Sequence, residues 1–374
     1  MNTLQKTKLR GTGINCGLIV LLFAVVLLLG QVLPQNTYRR VLVPIIWQMC
    51  IFILLGTSLN LTLGYLGQLT LGHMGFAGVG AYTAALTSLA LERAGLFEAS
   101  KAAPGQLILV ILGCCLLGAI FAGLLGLLVG IPALRLHGDY LAIVTLAFGE
   151  IVKNVMNACY LGLDSRGLHF SLRDSASLNL EADGKVLING AMGITGIKKA
   201  STFTIGIVLV IITLLVILNL VNSRAGRAIK AIRDNEIAAR SVGIPITKYK
   251  LMAFVTSAVF AGVAGVLYAL NYSSLVAKKF DYNTSILILV FVVLGGIGNL
   301  RGSVIAAAVL TVLPELLRSM NDYRMLIYAI VLIVVMIFNQ SPEMIALRKR
   351  LTARFRKEDA EGKGTKDKEK KGVA

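Results

Sequence analysis

The chain has 374 residues, of which 56% are hydrophobic and only 15% charged, against about 25% charged in an ordinary soluble domain. The apolar residues come in continuous blocks of about 20, the length a helix needs to cross a bilayer, which excludes a single soluble core and, because the blocks do not alternate, an outer-membrane barrel. A formal net charge of +18, with no aromatic-interleaved basic surface, points to membrane topology and not to nucleic acid.

Ten apolar segments follow in chain order, at about 14–33, 41–64, 67–90, 106–130, 139–158, 202–221, 250–271, 284–299, 302–318 and 324–340. They predict an all-α integral membrane protein of about ten transmembrane helices. Lys6, Lys8 and Arg10 precede the first segment as in a signal peptide, but the run is long and no small-residue cleavage site follows, so it reads as an uncleaved span. With the N-terminus inside, 23 of the 37 Lys and Arg residues fall in inside segments and 13 outside. That bias places both termini in the cytoplasm. The expected division is a cytoplasmic tail 1–13, a transmembrane region 14–340 and a basic cytoplasmic tail 341–374. The five cysteines show no ligand spacing and read as small apolar fillers.

The stretch "LGYLGQLTLGHMGFAGVGAY", Leu63–Tyr82, packs six glycines beside Gln68 and His73. Glycine serves a membrane helix where backbones approach closely, or where the helix breaks beside a protected cavity. Two readings stay open: the glycines permit close packing with hydrogen bonds between helices, or a broken glycine-rich helix lines a polar path. On the second reading Asn60, Gln68 and His73 line the path, and Glu150, inside the apolar 139–158 segment, joins them. For Glu150 a local ion pair with Lys153, or a bond to Asn154, is the alternative. The neighbouring spans offer no second acid at comparable depth. Asp139 is expected to cap its helix.

Residues 159–200 read as a polar outside loop of mixed charge, and residues 222–249 as a basic inside loop. In the inside loop, Asp234 or Asn235 can cap a second short helix, Gly243 suits its end and Pro245 prevents continuation. Ile229, Ile232, Ala239 and Val242 are expected to form an apolar strip. Gly296-Ile297-Gly298 reads as a tight inside turn. The tail 348–374 is Lys/Glu-rich and of the composition that stays unfolded. No catalytic constellation appears. The Gly-Lys pairs at 184–185 and 362–363 lack the following Ser or Thr of a phosphate loop, and three scattered histidines suggest no metal site.

The pattern of Glu236, Ala238, Ala239 and Gly243 resembles the "EAA" coupling loop of bacterial ABC importer permeases. "GYLGQLTLGHMGFAGVGAYTAAL" (Gly64–Leu86), "GDYLAIVTLAFGEIVKNV" (Gly138–Val155) and "VLGGIGNLRGSVIAA" (Val293–Ala307) resemble the branched-chain amino acid permeases. The middle stretch, with "RAIKAIRDNEIAA", is similar to the M-type (LivM-like) branch. The resemblance spans about residues 40–340. It implies a permease subunit moving leucine, isoleucine and valine across the bacterial cytoplasmic membrane. It also implies an H-type permease partner, two ABC ATPase subunits that hold ATP and Mg, and a periplasmic or surface substrate-binding protein, with no cofactor on this chain. Coupling to the ATPase would fall to Arg227, Ile229, Ile232, Glu236, Ala238, Ala239 and Gly243. The family's glycine-rich segment after the "GEI" helix corresponds to "NGAMGITGI" from Asn189, so residues around 160–188 read as an insertion. Urea or short amides are the alternative substrates. A secondary carrier acting alone is the alternative class, which would show repeated halves and several intramembrane acids.

Overall fold

The computed structural model describes residues 17, 43–93, 104–136, 138–164, 167–180, 184–197, 203–317 and 323–340. The expected first span and both tails lie outside the described residues, apart from Gly17. Helices dominate. In chain order they are α1 (Val43–Asn60), α2 (His73–Arg93), α3 (Pro104–Ala133), α4 (Asp139–Ala158), α5 (Phe203–Asn222), α6 (Arg224–Asp234), α7 (Glu236–Ser241), α8 (Ile246–Ala269), α9 (Tyr282–Gly295), α10 (Leu300–Leu316) and α11 (Arg324–Gln340). Six described helices are long and apolar enough to cross a bilayer; the first of these runs Val43–Leu66 as α1 continues into a π-helical turn, Leu61–Leu66. Helix α9 has 14 residues, about 21 Å at 1.5 Å per residue, and falls short of a hydrocarbon core of about 30 Å. The chain divides near Val312; beyond it the described residues comprise the end of α10 and the separate helix α11.

Helix α1 with its π turn is mostly apolar and almost wholly enclosed, as expected for a helix surrounded by others. Two of its buried polar side chains turn back on their own helix: Thr57 Oγ1 donates to Ile53 O at 2.8 Å, and Ser58 Oγ to Leu55 O at 2.9 Å. Helix α8 packs against α1, α2 and α3. Small residues permit this. A Cβ at Gly80 of α2 would lie 2.2 Å from Gly262 O of α8; one at Gly262 would lie 2.4 Å from Ala122 Cβ of α3; one at Gly265 would lie 1.9 Å from Ala77 O. Backbones in lipid associate by such close van der Waals approach, because lipid offers no hydrophobic drive between helices. Phe76 and Phe254 lock the same contact edge to face, with centroids 5.6 Å apart.

The 159–200 segment, expected as a plain loop, contains a small antiparallel sheet. Strands β1 (Tyr160–Asp164), β2 (Gly167–Ser171) and β3 (Lys185–Asn189) lie in the order β2-β1-β3, with Leu161 opposite Phe170 and Ile188. Strand β4 (Ile194–Thr195) pairs with β5 (Ser274–Leu275) in the link after α8. Gly193, at φ 73°, makes that pairing possible, since a Cβ there would sit 1.9 Å from Leu275 O. Asp139 lies in the first turn of α4 and Gly138 occupies the cap position, with no side-chain capping bond. The expected Asp139 cap is therefore corrected to a charge favourable to the helix N-terminus.

Candidate functional site

The glycine stretch is the end of one helix and the start of the next. After the π turn the chain turns out of the helix at Gly67, with φ 76°. Residues 67–72 are non-helical and α2 begins at His73. A backbone break among apolar helices must find partners for its freed N–H groups. Gln68 N donates to Thr62 O at 3.0 Å, Leu71 N to Thr145 Oγ1 of α4 at 3.1 Å, and Met74 N to Ser285 Oγ of α9 at 3.2 Å. Glycine brings those partners close: a Cβ at Gly72 would collide with Thr145 O at 2.1 Å, and one at Gly75 would press on Gly149 Cα at 3.1 Å. Break and close packing thus coexist in one segment.

The four expected path residues occupy different environments. Asn60 is fully buried; its Nδ2 donates to Ser303 Oγ at 2.8 Å and its Oδ1 accepts from Gly298 N at 3.0 Å. His73 is buried, with Nε2 2.8 Å from Ser58 Oγ. Gln68 is half-buried, and its Oε1, itself enclosed, lacks a hydrogen-bond partner among the described residues. Glu150 pairs with Lys153, and its Oε1 accepts from Tyr282 N, at the first turn of α9, at 3.3 Å. Asp281, which caps α9 from just outside the helix, is within electrostatic reach of Lys153. Burial works against the Asp281 carboxylate, but Thr284 backbone and hydroxyl donors, the Asn283 amide and the Lys153 charge together hold its pKa below the ordinary value. A small, partly open recess with room for about one water molecule lies between the break, the start of α2, α3 and α4, lined by Gly72, Gly75, Phe76, Leu125, Val129, Thr145, Phe148, Gly149 and Val152. It presents no charged side chain to an ammonium or carboxylate group.

The basic loop folds as α6 and α7 on either side of Asn235. Ser223 caps α6, its Oγ accepting from Gly226 N at 3.1 Å. Asn235 caps α7, its Oδ1 accepting from Ala238 N at 3.0 Å. Gly243 ends the unit at φ 81°. Of the expected coupling residues, Arg227, Ala238 and Gly243 are exposed, whereas Ile229, Ile232 and Ala239 are buried within this chain. The expected apolar strip is therefore an inward anchor, and Val242, 75% exposed, does not belong to it. The physical reason is periodicity: Ile229 and Ile232 are three residues apart and share the helix face that meets the membrane helices. Glu236 is half-buried and binds Lys250 Nζ of α8 at 2.8 Å. No local signal announced that pairing, nor that of Arg233, whose Nη1 donates to Gly64 O at 2.6 Å. Both partners are distant in sequence.

The sequence profile of the family described as "Branched-chain amino acid transport system / permease component" matches residues 41–336. The chain belongs to this family. The "High-affinity branched-chain amino acid transport system permease protein LivM" of Salmonella typhimurium is 35% identical over 327 residues, covering 85% of this chain and 73% of the relative. Its Escherichia coli counterpart of the same name is 34% identical over the same extent. The "Fructose import permease protein FruG" of Bifidobacterium longum is 27% identical over 126 residues, 32% of this chain and 37% of the relative. No solved structure matches the chain. As a member of the branched-chain amino acid permease family with six described helices able to cross a bilayer, the chain is a multi-pass membrane protein and a permease component of a transport system.

Proposed function

We propose that the chain is the M-type permease subunit of an ABC importer carrying leucine, isoleucine and valine across the bacterial cytoplasmic membrane. A binding protein delivers the substrate outside, an H-type subunit completes the path, and two partner ATPases hydrolyse ATP with Mg. Both termini, the basic tail 341–374 and the loop 222–249 lie on the cytoplasmic side, in line with the Lys and Arg bias. The observation that carries the reading is the capped pair α6–α7 with its EAA pattern. Its apolar face is anchored inward and its outward face offers Arg227, Ala238 and the Gly243 turn to a soluble partner. Such a device serves a permease driven from outside itself; a secondary carrier has no use for it.

The path reading places Gln68 and the break at the route taken by substrate, with Asn60 and His73 holding the break in shape and Glu150 fixing the start of α9. The test is uptake of labelled leucine, isoleucine and valine by proteoliposomes holding the full complex, with ATP supplied to the ATPase side. Uptake should require ATP and binding protein. Transport of urea or short amides in place of leucine would redirect the substrate. Uptake driven by a proton gradient without ATP would overturn the importer reading.

A further inference from the structure

The end of α1 and the end of α6 are joined by one charged side chain. Arg233, the last basic residue of α6, reaches 2.6 Å from the Gly64 carbonyl in the π turn. Carbonyls in a helix's last turn lack partners within the helix and carry its negative dipole end, so an arginine is matched there in both hydrogen bonding and charge. Two glycines clear the way. A Cβ at Gly67 would meet Arg233 Cγ at 2.9 Å, and one at Gly298 would meet Arg233 Nη1 at 3.2 Å. The neighbouring Lys230 lies over the Tyr65 ring, 5.5 Å from its centroid, so two residues of the same helix grip the same turn. From Gly64 the contact continues through Asn60, which holds both Gly298 N in the turn between α9 and α10 and Ser303 Oγ in the first turn of α10.

We infer that Arg233 is a positioning residue that couples the cytoplasmic helix pair to the helix break, so that displacement of α6 is passed to the Gly64–Gly72 segment and to the α9–α10 turn. The inference rests on the proposed docking of an ATPase at α6–α7. The rest of α6 holds its position by apolar packing of Ile229 and Ile232, which resists separation but not sliding. The Arg233–Gly64 bond is directional and resists both, and it ends beside a backbone segment that regular helix does not brace.

The test uses the full complex in proteoliposomes, with ATP hydrolysis and leucine uptake measured on the same preparation. Arg233→Met keeps the length of the stem and removes the donors; Arg233→Lys keeps the charge and a single donating nitrogen in place of the guanidinium fork. Arg233→Met should retain at least half of the parent ATP hydrolysis while uptake per ATP falls at least ten-fold, and Arg233→Lys should restore a substantial part of that ratio. A ratio within two-fold of the parent in Arg233→Met overturns the inference, as does a proportional fall of both activities in a fully assembled complex. If Arg233→Met assembles poorly, Arg233→Gln replaces it, and the same thresholds for the ratio decide. Ala238→Arg, on the exposed face, separates this from the docking reading. Loss of ATPase from that variant upholds docking whatever Arg233 does, whereas normal assembly removes docking and the coupling role with it.

Discussion

At the scale of single residues, the glycines divide by what a methyl group would meet. Gly265 faces the Ala77 carbonyl at 1.9 Å from an added Cβ, whereas Gly113 on α3 faces open space. Gly265→Ala should therefore force α2 and α8 apart and cost about 1–3 kcal/mol, the usual range for overpacking, while Gly113→Ala should be neutral or slightly stabilising. Thermal midpoints of the detergent-purified protein check both, and equal midpoints would contradict the contact. Glu150 offers a second residue-level test. Its carboxylate accepts from the first turn of α9 and pairs with Lys153. Glu150→Gln keeps an acceptor oxygen and should retain much of the uptake, whereas Glu150→Ala strands its partners at a cost of about 1–3 kcal/mol. Uptake across pH 5.5–8 with matched insertion measures this; abolition by Gln alone would assign the charge a direct part in transport.

The coupling unit is the element whose design is most exposed to test. Two short helices, α6 of 11 residues and α7 of 6, would be marginal alone; caps and the buried face of Ile229, Ile232 and Ala239 hold them. Asn235→Ala removes the α7 cap and should cost about 1 kcal/mol, read as faster protease cleavage within 235–243. Gly243 has nothing within 4 Å of an added Cβ, so bulk is not its constraint; its φ of 81° is. Gly243→Val should be strained by about 1–3 kcal/mol and lose uptake and ATPase stimulation while still inserting. Gly243→Asn, which tolerates that conformation, should keep most of both. Equal behaviour of Val and Asn would show that the turn does not matter to coupling.

Across the whole molecule, the break between α1 and α2 sets up a contrast in access. Gln68 is half-buried with an unpartnered oxygen, while Asn60 and His73 are sealed by Ser303, Gly298 and Ser58. In a cysteine-free background, Gln68→Cys should react with a water-soluble thiol reagent and His73→Cys should not in the resting state. Inertness of Gln68→Cys in every transport state would leave close packing as the sole reason for the glycines. Much of this architecture was legible in the residues themselves. The apolar blocks located the ends of the described membrane helices to within about four residues, apart from the start of α2, which lies six residues later at His73, because burial in lipid demands length and composition, both local properties. The α6–α7 pair was legible because Asn235 and Gly243 act on backbone groups three or four residues away. The small sheet in 160–189 was not, since its strands are short and stabilised by pairing across the sheet. Nor was the direction of Ile229 and Ile232, which looked like a face for a partner until the membrane helices covered it. The bonds that join the site lie further still beyond local reach: Arg233 finds Gly64 across 169 residues, and Glu150 finds Tyr282 across 132. Sequence by itself determined roughly where the apolar helices lie, where the coupling helices are capped and which family the chain resembles, because those follow from short-range energetics and motif. Only the tertiary structure decided which glycines touch, which polar groups are satisfied and which face of the coupling unit is free, because each depends on neighbours that packing alone brings together.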